Sequence, residues 1–291
     1  MTGRETTPAQ AGFVMRRETF SPVQWLLLAV FTLYCLLPLW WVFTTMFKDN
    51  GQLFSTFGLW FASPSHLLEN LHVLFTRQDG IFSRWLLNSF LYSGATALGS
   101  VAVSAMAGYA FSKFVFQGRT ALFTVILATI MVPSTALVLP IFLLMQQVHL
   151  LNTYWAVILP GFVNPFGLYL MRLFWDAGFP SELMEAARID GAGEWWILAK
   201  VIAPLSGNAL AAVGIFAFIQ GWGLFIWPLL IANDQLLFNM ELGLTAFQFL
   251  FSSDIGKLMA GSVVSVVPML IIFLLLRARI IENMALTGVK G

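Results

Sequence analysis

The sequence predicts an all-α, polytopic membrane protein with six transmembrane helices, and three observations carry that expectation. Hydrophobic residues make up 59% of the 291 and charged residues only 10%, with a mean hydropathy of +0.82. These values lie outside the range of soluble domains. The apolar residues also come in uncharged runs of roughly 20, the length a helix needs to cross a hydrocarbon core of about 30 Å. Lipid offers no partner to backbone polar groups, so such runs must be helical. Finally, Lys and Arg collect in alternate loops, as they do when those loops stay on the cytoplasmic side.

Residues 1–20 are polar and carry Arg4, Glu5, Arg16, Arg17 and Glu18. No small-residue cleavage site follows the next apolar run, so they read as a cytoplasmic tail and not a cleaved signal. One transmembrane domain is expected over 21–291, with spans at about 23–47, 85–111, 120–145, 153–171, 205–231 and 258–276, none of them containing a charge. With the N-terminus inside, eleven Lys and Arg lie in cytoplasmic segments and four outside (Lys48, Arg77, Arg84 and Lys257). Both termini are therefore expected in the cytoplasm. The first loop, 48–84, faces outward and holds an amphipathic stretch, 67–75, expected along the membrane surface.

Within the spans, Pro133, Pro140, Pro160, Pro165, Pro228 and Pro268 each remove a backbone donor and favour kinks. Ser100, Ser104 and Gly108 recur every four residues in the second span, a ridge low enough for another helix to approach closely. A net charge of +1 with scattered cations excludes a nucleic-acid surface. The single cysteine, Cys35, lies in an apolar run and reads as packing.

The loop 172–204 holds eight of the 29 charged residues and carries the most information. Pro180 and Ser181 open a short helix, Ser181 as N-cap and Glu182 near the positive end of its dipole. Gly191 closes it, since glycine adopts the left-handed conformation past a helix end at no side-chain cost. A second short helix, about 194–199, leads through Pro204 into the fifth span. Ala186 and Ala187 form a nearly bare face beside Leu183 and Ile189, flanked by Glu185 and Arg188. Such a face suits entry into a cleft, and an ordinary solvated loop helix reads equally well from pattern alone.

Glu185-Ala186-Ala187, then Gly191 after three residues, then Val201 and Pro204 further on, resemble the coupling motif of ATP-binding-cassette importer permeases. Asp190 and Ala192 add its longer Asp-Gly-Ala form. Val201 stands for the usual isoleucine, Ala203 for leucine and Asn208 for proline. The resemblance extends to the maltose-type and glycerol-phosphate-type carbohydrate branch through Leu87-Asn88-Ser89, Met131-Val132-Pro133, Leu151-Asn152-Thr153-Tyr154, Trp227-Pro228-Leu229-Leu230 and Gly288-Val289-Lys290-Gly291. Gly223 departs from it, where asparagine is usual.

The resemblance implies a permease subunit of an ATP-driven importer for a sugar or sugar-like solute, multi-pass in a bacterial or archaeal inner membrane. It implies a heterodimer with a second permease subunit, two ATPase subunits that bind the ATP and Mg, and an extracytoplasmic solute-binding protein. No cofactor is expected in this chain, and no phosphate-binding Gly-x-x-x-x-Gly-Lys-Ser/Thr loop occurs in it. The 181–191 helix would be the cytoplasmic coupling helix. Glu185 would supply a charge pair or cap, Ala186 and Ala187 close docking and Gly191 the turn, with Arg188, Asp190 and Ala192 completing the contact.

Asn164, Tyr169, Gln220 and Trp222 are the candidates for the substrate path, because polar groups in spans are expensive to bury. No Lys or Arg lies within a span to meet an anion, which favours a neutral sugar over glycerol phosphate; a glycerol-phosphate or polyol importer subunit of the same family is the alternative. A secondary transporter would require carboxylates at depth, and the spans hold none. An intramembrane enzyme would require a His, Cys or carboxylate cluster, but His66, His72 and His149 fall in or beside outward loops.

Overall fold

Ser21 starts the first helix: its hydroxyl accepts from the Gln24 amide at 3.3 Å, while the Gln24 side chain accepts from the Ser21 amide at 2.8 Å. The structure is a computed structural model that describes residues 21–178, 181–250 and 254–288. The tail 1–20 and the closing 289–291 lie outside the described residues, as do the side chains beyond 275.

Helix α1 (Pro22–Thr45) is apolar and exposed on all sides over its first two-thirds. Its C-terminal end is fastened to the outward loop: the Trp40 indole donates to the Leu59 carbonyl at 2.9 Å and the buried Lys48 ammonium to Phe57 O at 2.8 Å. After α2 (Asn50–Ser55) comes α3 (Leu67–Thr76), the amphipathic stretch expected at the membrane surface. One face of it packs into the protein, against the last helix and the start of α4, where Leu74 and Asn70 are buried, and Leu68 on another face is exposed. Asn70 Nδ2 donates to the carbonyls of Met46 and Lys48, which closes the loop beneath it.

The centre of the bundle is α4 (Ile81–Lys113), longer than the 85–111 span expected. Its buried face is small and mostly polar through the middle, at Ser89, Ser93, Thr96, Ser100, Ser104 and Gly108, and carries aromatic side chains towards its ends, at Phe82, Trp85, Tyr109 and Phe111. Lipid tails are as apolar as leucine, so helices in a membrane associate through close packing and hydrogen bonds and not by escaping water. A Cβ placed on Gly108 would sit 2.7 Å from Met171 Cβ, one on Gly167 2.5 Å from Ser104 Oγ, and one on Gly221 2.9 Å from Ser93 Cα. The predicted ridge is thus where α8 (Pro165–Gly178) and α12 (Gly207–Trp222) meet α4.

Three expected spans are broken. The run 120–145 consists of α5 (Arg119–Thr129) and α6 (Ser134–Gln147), bent by 105°. The chain tightens first, with Ile130, Met131 and Val132 donating to carbonyls three residues back, and Pro133 then has no amide to continue the ladder. The run 153–171 starts as α7 (Tyr154–Ile158), passes through a 3₁₀ turn at Leu159–Phe162 around Pro160, and resumes as α8. The run 205–231 contains α12 and α13 (Ile226–Ile231), interrupted at 223–225. Helix α14 (Met240–Leu250) precedes α15 (Ile255–Gly288), which begins earlier than the 258–276 span expected. Among the described residues, four helical stretches are long and apolar enough to cross a membrane, or six if each of two bent pairs counts as one span.

Candidate functional site

Between α8 and α12 the chain makes a short helix, α9 (Ser181–Ile189), within the range predicted for the coupling helix. Pro180 and the Ser181 side chain, the expected N-terminal cap, lie outside the described residues. The C-terminal end is well defined. Gly191 has φ +83°, its amide donates to Arg188 O at 3.0 Å, and the Ala192 amide donates to Ala187 O at 2.9 Å. These are the paired bonds of a Schellman turn, which needs a left-handed residue where Gly191 stands.

Two sides of α9 have different fates. Met184, 3% exposed, inserts among Tyr109, Met171, Trp175 and Ile197, in a cluster that joins α4, α8 and the chain leading to α12. Glu185, Ala186 and Asp190 remain exposed, and Ile189 is 86% exposed. Beside this face a groove of about 600 Å³ is lined by Leu183, Ala186, Ala187, Asp190, Trp196 and neighbouring residues. Of the two alanines, Ala186 therefore points away from the bundle, whereas Ala187 is half-buried against the same cluster as Met184. The sequence signal for the anchor is the i,i+3 pairing of Met184 with Ala187, which places both on one face of α9.

Past the turn, α10 (Glu194–Trp196) runs into a π-helical turn at Ile197–Ile202 and α11 (Ala203–Leu205), where a regular helix over 194–199 was expected. Glu194 Oε1 accepts from Arg188 Nε at 2.7 Å, and Glu194 Oε2 accepts from the Tyr109 hydroxyl of α4 at 2.5 Å. The Arg188 guanidinium, and after it the Tyr109 hydroxyl, hold the Glu194 carboxyl below the usual carboxylate range. Tyr109 packs edge-on against Trp175, whose indole donates to Ser206 Oγ at 2.7 Å.

A second cavity, about 460 Å³, opens where the three helix breaks converge. Ser134 and Thr135 come from the first break, Pro160 and Gly161 from the second, and Gly223 to Trp227 from the third. Its lining is mostly apolar and carries no charged side chain. None of the four path candidates lines it. Asn164 donates to Ser100 Oγ at 3.0 Å and accepts from the Gly167 amide at 2.9 Å, so its amide ties α8 to α4 and caps α8. Trp222 is buried between Phe90 and Phe218. Tyr169 and Gln220 are exposed on the bundle. Among the described residues no group of three His, Cys, Asp or Glu is placed to hold a metal ion.

Residues 100–282 match the family model described as binding-protein-dependent transport system inner membrane component. The chain is 34% identical over 281 residues to an arabinooligosaccharides transport system permease protein of Halalkalibacterium halodurans, covering 95% of this chain and 100% of that protein. It is 30% identical over 273 residues to a lactose transport system permease protein of Rhizobium radiobacter, covering 93% and 97%. In fold it is similar to a solved bacterial ABC transporter involved in import of the acidic polysaccharide alginate. The TM-score is 0.77 at 22% sequence identity, over 88% of this chain and 94% of that one.

Proposed function

Because this chain belongs to the family of binding-protein-dependent transport system inner membrane components, we propose that it forms half of the pathway of an ATP-driven importer for a sugar or oligosaccharide. The arabinooligosaccharide and lactose permeases to which it is similar over nearly their whole length support the solute class. The uncharged cavity at the helix breaks supports a neutral solute. Hydroxyls at Ser134 and Thr135 supply polar contacts, and the Trp227 face suits a sugar ring. Tyr169 and Gln220, exposed on the bundle, suit a path completed by a second, non-identical permease subunit.

The observation that carries the mechanism is α9 itself: anchored inward by Met184, closed by Gly191, and presenting Glu185 and Ala186 outward. In this reading α9 docks on one of two cytoplasmic ATPase subunits. Ala186 and Ala187 admit close approach, Glu185 supplies a charged contact, and Arg188, Asp190 and Ala192 hold the end of the helix. Hydrolysis belongs to that partner, and closure of the ATPase pair moves α9 and with it the bundle. Both termini face the cytoplasm, and a solute-binding protein delivers its load to the opposite face.

The test is to purify the chain with its natural partners, identify them, and measure ATP hydrolysis in liposomes with and without the solute-binding protein and candidate sugars. Co-purification of an ATPase and a second permease, with hydrolysis stimulated by the loaded binding protein, is expected. A chain that purifies alone and moves solute down an ion gradient would refute the proposal.

A further inference from the structure

The segment 190–193, which joins α9 to the rest of the cytoplasmic loop, contains two glycines, Gly191 and Gly193, neither of which has a heavy atom within 4 Å of where a Cβ would lie. No side chain packs against either glycine, so beyond the backbone bonds of the turn and the contact of Ala192 with the core, this connection has little to stiffen it against displacement. Yet the segment is bridged. Arg188 stands on its near side, in the last turn of α9, and Glu194 on its far side, and their side chains meet at 2.7 Å. The second oxygen of the same carboxylate meets the Tyr109 hydroxyl of α4.

We propose that Glu194 is a positioning residue that clamps the glycine-containing turn shut and ties α9 to the central helix α4. On this view, movement of α9 reaches the spans through side chains as well as through the backbone. The inference rests on the reading of α9 as the helix that meets the ATPase.

The chemistry fits a carboxylate and little else. Each oxygen serves a different element, α9 on one side and α4 on the other, and an ionised carboxylate accepts at both at once. A carboxamide accepts from Arg188 with its one oxygen and can only offer its NH2 to the Tyr109 oxygen, so it spans the same two elements without the charge that strengthens both bonds. Beyond Tyr109 the path continues in rigid parts. The tyrosine is 3% exposed and its ring meets that of Trp175 at 90° with centroids 6.2 Å apart. Trp175 is fully buried on α8 and donates to Ser206, whose hydroxyl donates in turn to Ile202 O at 2.7 Å. Five side chains in series thus join α9 to α4, α8 and the start of α12. Close-packed contacts of this kind transmit displacement because they are not continuously deformable.

The experiment uses the complete transporter in liposomes with its solute-binding protein, and reads solute moved per ATP hydrolysed. Glu194→Ala and Tyr109→Phe are each expected to lower that ratio about three- to tenfold, the range that loss of ordinary hydrogen bonds implies. Glu194→Gln should fall between them and the wild type. The double variant Glu194→Ala with Tyr109→Phe should be no worse than Glu194→Ala alone, because both break one path. Should Glu194→Ala fail to assemble, Tyr109→Phe, which removes one hydroxyl and preserves the packing, decides the matter. Wild-type ratios in correctly assembled variants would overturn the proposal, as would losses that multiply in the double variant. A merely structural role would reduce the yield of complex and leave the ratio intact, which also overturns it. A wild-type complex that does not respond to its binding protein would overturn the importer reading, and this inference with it.

Discussion

Substitution of Gly191 tests the turn at the end of α9 through the backbone alone. Its φ of +83° lies in the left-handed region, and no heavy atom lies within 4 Å of where a Cβ would stand. A side chain there meets no steric obstacle, so the penalty is purely conformational, about 1–2 kcal/mol for an ordinary L-residue. That lowers the equilibrium constant for forming the turn by about 5- to 30-fold. Gly191→Val belongs at the upper end because β-branched residues are the least tolerant of positive φ, Gly191→Ala is intermediate, and Gly191→Asn is mild. Amide hydrogen exchange at Ala192, whose N–H is held by Ala187 O, should lose protection in that order. Solute moved per ATP in the reconstituted transporter should fall in the same order. Wild-type protection and transport in Gly191→Val would refute the reasoning. So would a Gly191→Asn variant as impaired as Gly191→Val, since that would make the glycine's lack of a side chain, and not its backbone angle, the property that matters.

Two further outcomes follow from packing and charge. Gly167→Val places atoms where Ser104 Oγ and Val213 Cγ1 already stand, at 2.5 and 2.9 Å from a Cβ. Overpacking of this kind destabilises by about 1–3 kcal/mol, and it should lower the thermal unfolding midpoint in detergent. Gly94→Ala, inside α4 with open space around it, should leave the midpoint unlowered or raise it slightly, since alanine is the better helix former. The Glu194 carboxyl titrates below its ordinary value of 4.5, held down by Arg188 and Tyr109. Its folded-state value is lowered, so its contribution to stability is fully present above that ordinary value and is lost as pH falls through the folded one. Arg188 and Glu194 are both about 40% exposed, so screening keeps that contribution under about 1 kcal/mol. A pH series of unfolding midpoints should show wild type and Glu194→Gln separated near neutrality and converging in acid. A gap that widens in acid would contradict the assignment.

The sequence by itself determined the all-α class, the ridge on α4 and the end of α9, because each depends on information confined to one segment. Composition and run length require helices in lipid whatever the neighbours. Ser100, Ser104 and Gly108 share a face by helical period alone, and Gly191 marks a left-handed residue that a Schellman turn demands. The tertiary structure decided what depends on distant residues meeting. Proline marked the 105° bend between α5 and α6 as permitted, but whether a helix bends or merely kinks at a proline is set by what packs against it. The cavity exists only because three breaks from separate runs face one another. Asn164 was read as a path residue because a polar group in a span is costly to bury; the fold pairs it with Ser100 and the Gly167 amide, a local satisfaction that no spacing announces. Likewise Glu194 looked like one more charge in a charged loop. Its bond to α4 arises because Tyr109, 85 positions earlier, stands near the end of that helix beside it, and contact between residues so far apart in the chain is a property of packing and not of pattern.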